Sequence, residues 1–367
     1  MGSQHTDNIT IDLRMLHASG IGTYLSNLVP LVMERLPGCR FTLLGDPVEL
    51  EPFTGVAEQV DIISCNSPIY SISEQFAICR LIPADTALYW SPHYNIPLFS
   101  KAKLLVTVHD VFHLTMAHYL KGLHQRLYAR YMFITLMRKA SAILCPSKYT
   151  VTELIRMTGL RRDDIKVAYN AVDPAWFAIE RASSPHQRPY LLFVGNVKPH
   201  KNLKGLIRAF DAIRESIPHD LVIVGKKEGF ITADEETMAM AHRLTQRIVF
   251  TGYVADSELR RYFAHADALV LPSFYEGFGL PTIEAMACGC PAIVSACSSL
   301  PEVCGDAALY CNPYDYKDIA ARIRELLEDR TLRDEMIAKG RTRAKRFTWE
   351  SSAATTAGVI SDILAGG

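Results

Sequence analysis

The sequence predicts two doubly wound α/β domains, each a parallel sheet with helices on both faces, facing one another across a deep cleft. Three observations carry this prediction. Short apolar runs alternate with amphipathic stretches of helical period along the whole chain, the pattern of buried parallel strands joined by crossover helices. The length, 367 residues, exceeds one ordinary core and suits two domains of roughly 150–200 residues each. The alternation also stops once, at 180–189 (ERASSPHQRP), a polar stretch with two prolines and no period, and then restarts.

In the first half the apolar runs predict strands at Ile9–Leu13, Phe41–Leu44, Asp61–Cys65, Ala87–Trp90, Leu104–Val108, Ala142–Cys145 and Ile165–Tyr169. Helical periodicity places helices near Gly22–Arg35, Ser73–Leu81, Tyr119–Arg138 and Ser147–Thr158. After the break, strands follow at Tyr190–Val194, Leu221–Val224, Ile248–Thr251, Ala268–Leu271, Ala292–Ser295 and Leu309–Cys311. Helices are expected near Leu203–Arg214, Asp234–Gln246, Asp256–Ala264, Pro281–Cys288, Tyr316–Leu327, 331–346 and 349–364. Such sheets bind ligands at the carboxyl ends of their strands.

Apolar residues make up 49% and charged residues 21%, a globular profile. The net charge is zero, so no global basic field recruits nucleic acid. Locally the balance differs: residues 1–99 hold 4 Lys/Arg against 10 Asp/Glu, and residues 100–166 hold 12 against 4. Lys121, Arg126, Arg130, Arg138 and Lys139 interleave there with Tyr119, Tyr128, Tyr131 and Phe133. A basic aromatic helix can lie on anionic lipid or form a solvated face. Nine cysteines, an odd number scattered through apolar runs, read as free thiols of a reducing compartment. Cys290, Cys297, Cys304 and Cys311 recur every seven residues, but Pro291, Pro301, Gly305 and Pro313 break any helix there. No apolar stretch is long enough to span a membrane, and the reading is a cytoplasmic protein, in peripheral contact with the inner membrane face if the basic block binds lipid.

The most informative segment is Ser273–Met286. It follows the strand Ala268–Leu271, and Pro281 suits the first turn of the next helix. Gly277 and Gly279 let the backbone approach a ligand closely and present N–H groups at that helix's N-terminus, an anion site. Glu276 precedes the glycines and Glu284 lies eight positions on. Carboxylates on either side of a phosphate cradle suit a nucleotide sugar, with a ribose on one side and a hexose on the other. The alternative is a buried strand–turn–helix junction with two incidental glutamates. A second candidate site is Gly195-Asn196-Val197-Lys198-Pro199-His200-Lys201-Asn202, between the first strand of the second half and its helix. Lys201 there could pair a diphosphate and stabilise it as a leaving group; alone, it could also be a solvated helix-start lysine. His109-Asp110 ends the strand Leu104–Val108. The histidine could meet a sugar or satisfy local backbone, with Asp110 as a helix cap. His93 and Asp110 are weaker candidates on the acceptor side.

The run Glu276-Gly277-Phe278-Gly279-Leu280-Pro281-Thr282-Ile283-Glu284, continued by Ala285-Met286-Ala287-Cys288-Gly289-Cys290-Pro291, resembles the E-x7-E signature of family 4 retaining glycosyltransferases, which have the GT-B fold. Ser298-Ser299-Leu300-Pro301-Glu302-Val303 and Gly305-Asp306-Ala307-Ala308 resemble its bacterial polysaccharide, O-antigen mannosyltransferase-like branch. The resemblance implies a metal-independent enzyme without cofactor. It would move a hexose, GDP-mannose favoured, to a hydroxyl of a glycan or polyprenyl-linked acceptor. It also implies that Glu276 holds donor-sugar hydroxyls, Glu284 the ribose hydroxyls, and the backbone of Phe278, Gly279 and Leu280 the sugar and diphosphate. Gly20 and Gly22 resemble the family's glycine loop near the donor phosphates. Where the family often has an arginine this chain has Asn196, and Lys198 is the candidate substitute. The division expected is 1–179 for the acceptor, a linker at 180–189, 190–347 for the donor, and a helix at 348–367 crossing back to the first domain.

No Asp-x-Asp occurs; Asp256/Glu258 and Asp234/Glu236 suit helix starts, and no metal ligands are expected. Three rivals share some of these features. A nucleotide-sugar epimerase would have the same architecture. A dinucleotide oxidoreductase would want a third glycine where position 25 is Leu. A non-catalytic nucleotide-sugar-binding protein would explain Asn196.

Overall fold

The computed structural model describes residues 6–120, 122–179, 183–225, 235–244 and 246–366. The chain forms two compact units: Met1–Asn170 with Trp349–Gly367, and Ala171–Thr348. The first boundary therefore falls after Asn170, ahead of the polar stretch 180–189, of which 180–182 lie outside the described residues. The last helix belongs to the first unit.

In the first unit seven strands form one parallel sheet: β1 Asn8–Asp12, β2 Arg40–Gly45, β3 Val60–Ser64, β4 Thr86–Ser91, β5 Lys103–Thr107, β6 Ala142–Cys145 and β7 Ile165–Val167. Their order is β3-β2-β1-β4-β5-β6-β7, reversing direction of growth between β1 and β4. β1 is buried throughout, as a central strand covered on both faces must be, whereas the edge strands β3 and β7 are only half-buried. Helices α1 Ser19–Glu34, α2 Pro47–Leu50, α3 Ile72–Leu81, α4 Phe112–Thr115, α5 Leu123–Lys139 and α6 Lys148–Thr158 make the crossovers. Ser71 and Ser147 cap α3 and α6 by accepting from Glu74 N and Thr150 N, at 3.1 and 3.0 Å.

The second unit repeats the plan. Strands β8 Tyr190–Val194, β9 Asp220–Val224, β10 Ile248–Gly252, β11 Ala268–Leu271, β12 Ala292–Ser295 and β13 Leu309–Cys311 lie parallel in the order β10-β9-β8-β11-β12-β13. Helices α7 Leu203–Ile213, α8 Glu235–Arg243, α9 Asp256–His265, α10 Leu280–Cys288, α11 Leu300–Cys304, α12 Tyr316–Glu328 and α13 Arg330–Ala344 cover it. The closing helix α14, Trp349–Ala365, packs on α1 of the first unit. Its Ser352 Oγ donates to Tyr169 O, and Trp349 meets Tyr24 edge-on at 6.2 Å.

Some expected element bounds differ. The helix predicted from Tyr119 starts at Leu123, because Gly122 is extended (φ −148°) and a separate 3₁₀ turn holds Ala117–Tyr119. The strand expected to reach Tyr169 ends at Val167. All nine cysteines are free thiols. No helix among the described residues is long and apolar enough to cross a membrane.

Candidate functional site

In the second unit the direction of growth reverses between the paired strands β8 and β11, and the loops leaving their carboxyl ends open the crevice where doubly wound sheets take ligands. One loop carries Lys201 and the other Glu276. Asn202 ties them together. Held at φ +55°, it caps α7 by accepting from Gly205 N at 3.2 Å, while its Nδ2 donates to Pro272 O and Pro313 O at 2.9 and 2.7 Å. Phe274 N adds a bond to His200 O at 2.7 Å. The two candidate residues thus meet: Lys201 Nζ donates to both Glu276 carboxylate oxygens at 2.8 Å.

Glu276 is buried and held at several atoms. Ser273 Oγ donates to Oε1 at 2.7 Å, and Ser299 Oγ donates to its carbonyl at 2.9 Å. Its own N–H donates to Ser298 Oγ at 3.1 Å, for which Ser298 adopts φ +58°. A non-glycine residue in the left-handed region is strained, a cost typical of ligand sites. Sequence reasoning gave no separate weight to Asn202, Ser273, Ser298 or Ser299. The signal was available only in the polar residues clustered beside an otherwise apolar run.

After Glu276 the chain turns through buried Gly277 and Phe278 to Gly279, the N-cap of α10, at φ +89°. A Cβ on Gly279 would lie 2.6 Å from Leu300 Cδ2. The N-cap Gly279 has no side chain with which to cap α10, and the helix carries no acid in its first turn. Its N-terminus, including the half-buried Leu280, is therefore available to an anion. Glu284 lies one turn along, half-buried, with no hydrogen-bond partner among the described residues. Burial, reinforced by the nearby charge of Asp256, pushes its carboxyl up to about 8. Asn196 is half-buried and its carbonyl accepts from Lys198 N at 2.8 Å; Lys198 is exposed.

The first unit has a polar centre at its own reversal point, between β1 and β4. Asp12 ends β1, Arg14 follows it, and His93 and Asn95 follow β4. Arg14 bridges two fully buried carboxylates, donating to Asp12 Oδ2 at 2.6 Å and Glu74 Oε1 at 2.7 Å. Burial alone would raise the Asp12 carboxyl, yet hydrogen bonds from His93 and Arg14 hold it well below the usual carboxylate range. His93 was expected on the acceptor side. Here it accepts from Asn95 N at Nδ1 (3.2 Å) and turns Nε2 to Asp12 at 3.3 Å, so both ring nitrogens serve the protein. Asp12, Arg14, Glu74 and Asn95 were not singled out from the sequence.

His109 is half-buried, edge-on to Tyr24 at 4.7 Å, with Nε2 at 2.9 Å from Pro92 O. Burial lowers its pKa to about 4, so the neutral ring donates from Nε2 and keeps Nδ1 as an acceptor. Asp110 accepts from Phe112 N at 2.8 Å and turns the chain into α4 from one position ahead of the helix's N-cap, Val111. Gly20 and Gly22 were expected in a loop. They lie instead in the first turn of α1, where a Cβ on Gly22 would fall 2.1 Å from Leu16 O. Close backbone packing therefore explains Gly22 without a ligand. Lys121 of the basic block and Asp234 lie outside the described residues.

Two parallel-sheet α/β units of this plan make up the GT-B glycosyltransferase fold, which the solved structural neighbours share. Residues 175–343 match the family model for glycosyl transferases group 1, and residues 56–176 match that for glycosyltransferase family 4. The chain is 32% identical to O-antigen chain mannosyltransferase B of Escherichia coli over 284 residues, covering 73% of this chain and 72% of that one. It is 31% identical to O-antigen chain mannosyltransferase RfbU of Salmonella typhimurium, covering 65% of this chain and 64% of the relative. Sucrose-phosphate synthase from Thermosynechococcus elongatus superposes with a TM-score of 0.79 at 19% identity, over 98% of this chain and 100% of that one. The chain belongs to glycosyltransferase family 4, in its O-antigen mannosyltransferase branch.

Proposed function

We propose that this glycosyltransferase moves a hexose from a nucleotide diphosphate sugar, with GDP-mannose favoured, to a hydroxyl of a glycan or polyprenyl-linked acceptor in cell-surface polysaccharide synthesis. It would retain the anomeric configuration and use neither metal nor cofactor. The observation that carries the reading is the Lys201–Glu276 pair set beside the uncapped α10 N-terminus. The mannosyltransferase names of the two relatives support the donor.

In this reading the pyrophosphate rests on the N–H groups of Phe278, Gly279 and Leu280. Lys201 has three N–H donors and uses two on Glu276, so the third is available to a phosphate oxygen. That charge stabilises the departing nucleoside diphosphate. Glu276 accepts from the hexose hydroxyls and Glu284 from the ribose. The neutral His109, in the first unit, offers Nδ1 to a hydroxyl of the acceptor. Asn196 and Lys198 border the phosphates. The acceptor oxygen bonds to the anomeric carbon on the face the diphosphate leaves, and a donor phosphate oxygen takes its proton.

The test is transfer of labelled mannose from GDP-mannose to a polyprenyl-diphosphate-linked sugar, with and without EDTA. Glu276→Gln should lower turnover by about 100-fold or more, and EDTA should change nothing. Full transfer by this variant, or epimerisation of the donor with no acceptor present, sinks the proposal.

A further inference from the structure

Within the first unit, the loops leaving the carboxyl ends of β1, β2 and β3 enclose a cavity of about 320 Å³, lined in part by Arg14, Asp46, Glu49, Asn66 and Ser67. This is the sheet edge at which doubly wound folds take ligands, and the volume suits one small polar molecule. The lining runs on to Ile69, and Tyr70 follows it. Tyr70 is 42% exposed, and its backbone takes φ +65°, which strains any residue with a Cβ. Buried groups hold it there. Its N–H donates to Glu74 Oε2 at 2.8 Å, and Arg14 and Asn95 fix that carboxylate in turn. The ring stacks on Tyr94 at 5.3 Å, and Tyr94 stacks on the buried Phe133 at 4.5 Å. His93 and His113 meet the Tyr70 ring edge-on at 6.4 and 6.2 Å. Glycine would take this turn without strain, and a ring left so exposed buries little apolar surface, so stability alone does not account for a tyrosine here.

The charge of the cavity selects against anions. Arg14 is already engaged, with Nε and Nη2 on Asp12, Nη2 also on Glu74, and Nη1 on Ser67 O. Asp46 and Glu49 add two carboxylates; Asp46 uses Oδ1 on Val48 N, and Glu49 meets His17. The acidic balance of residues 1–99, 10 Asp/Glu against 4 Lys/Arg, has the same sign. A phosphate or carboxylate would meet repulsion here, whereas hydroxyl groups find acceptors. A neutral sugar fits both features: its hydroxyls donate to the carboxylates, and the apolar C–H face of its ring packs on an exposed aromatic ring.

We infer that this cavity, with Tyr70 beside it, is a subsite for a neutral, unphosphorylated pyranose of the acceptor glycan. This deepens the proposed transfer and rests on that reading for its purpose; its evidence is separate. Saturation-transfer difference NMR on the full-length protein tests it, with the methyl glycosides of mannose, glucose, galactose, rhamnose and N-acetylglucosamine as probes. At least one glycoside should receive saturation at its ring C–H protons, and mannose 6-phosphate should not. Tyr70→Gly, which removes the ring and relieves the turn, and Asn66→Trp, which fills the cavity from an exposed position, should each weaken binding by about tenfold. Tyr70→Phe keeps the ring and should bind as the wild type does. The melting temperature, and its rise with GDP, should stay near the wild-type values in all three. The inference is overturned if no glycoside binds, if mannose 6-phosphate binds equally well, if Tyr70→Gly or Asn66→Trp binds normally, or if Tyr70→Phe loses the sugar. A signal that Glu276→Gln abolishes would place the sugar in the second unit and overturn it as well. Binding through Tyr70 in a protein that gains no thermal stability from GDP would count against the transferase reading and leave the subsite intact.

Discussion

Lys201 and Glu276 are each mostly buried, with side chains 17% and 8% exposed, so each depends on the other for charge balance. Removing one partner of such a pair leaves an uncompensated ion, whereas removing both leaves far less unsatisfied. Lys201→Met is therefore expected to cost about 3 kcal/mol in urea unfolding. Adding Glu276→Gln should recover part of that loss, because Ser273 Oγ still finds an acceptor in the glutamine. Additive costs would mean the pair contributes nothing as a pair. Both residues were legible in the sequence because glycines and strand ends surround them. Their contact was not legible, since they lie 75 positions apart and meet only through the pairing of β8 with β11. The Asp12–Arg14–Glu74 centre shows the same limit. Glu74 is 60 positions from Arg14, and no local spacing connects α3 to the end of β1.

At the scale of elements, buried parallel strands were read best. Ala142–Cys145, Tyr190–Val194, Ala268–Leu271 and Ala292–Ser295 stand where their apolar runs placed them. Strands covered on both faces leave an unbroken apolar run with sharp polar ends. The one-turn helices α2 and α4 and the short α11 went unread because so few residues show no 3.6-residue period. α1 starts earlier than its glycines suggested, and its first turn presses on the backbone of Leu16. Because that contact is backbone on backbone, no rotamer can relieve it. Gly22→Ala should destabilise the protein by about 3 kcal/mol in the same unfolding measurement. A neutral result would mean that the Met15–Ala18 turn yields.

At the scale of the whole molecule, two sheets of the same plan each gather their polar groups where strand order reverses, one around Asp12 and Arg14, the other around Lys201 and Glu276. The first unit is also completed by a helix from the far end of the chain. α14 buries Trp349, Val359 and Ile360, worth about 2–3 kcal/mol each. That sum is comparable with the net stability of a whole domain, about 5–15 kcal/mol. Cutting the chain after Thr348 should make Met1–Asn170 sensitive to protease while Ala171–Thr348 stays resistant. Equal resistance of both units would show that α14 is dispensable.

The same arrangement orders events during synthesis. A ribosome releases β1 through β7 long before it reaches Trp349, so the first sheet waits with its α1 side open while the second unit emerges and folds. Nascent protein stalled short of residue 349 is thus the form most exposed to chaperones and to aggregation.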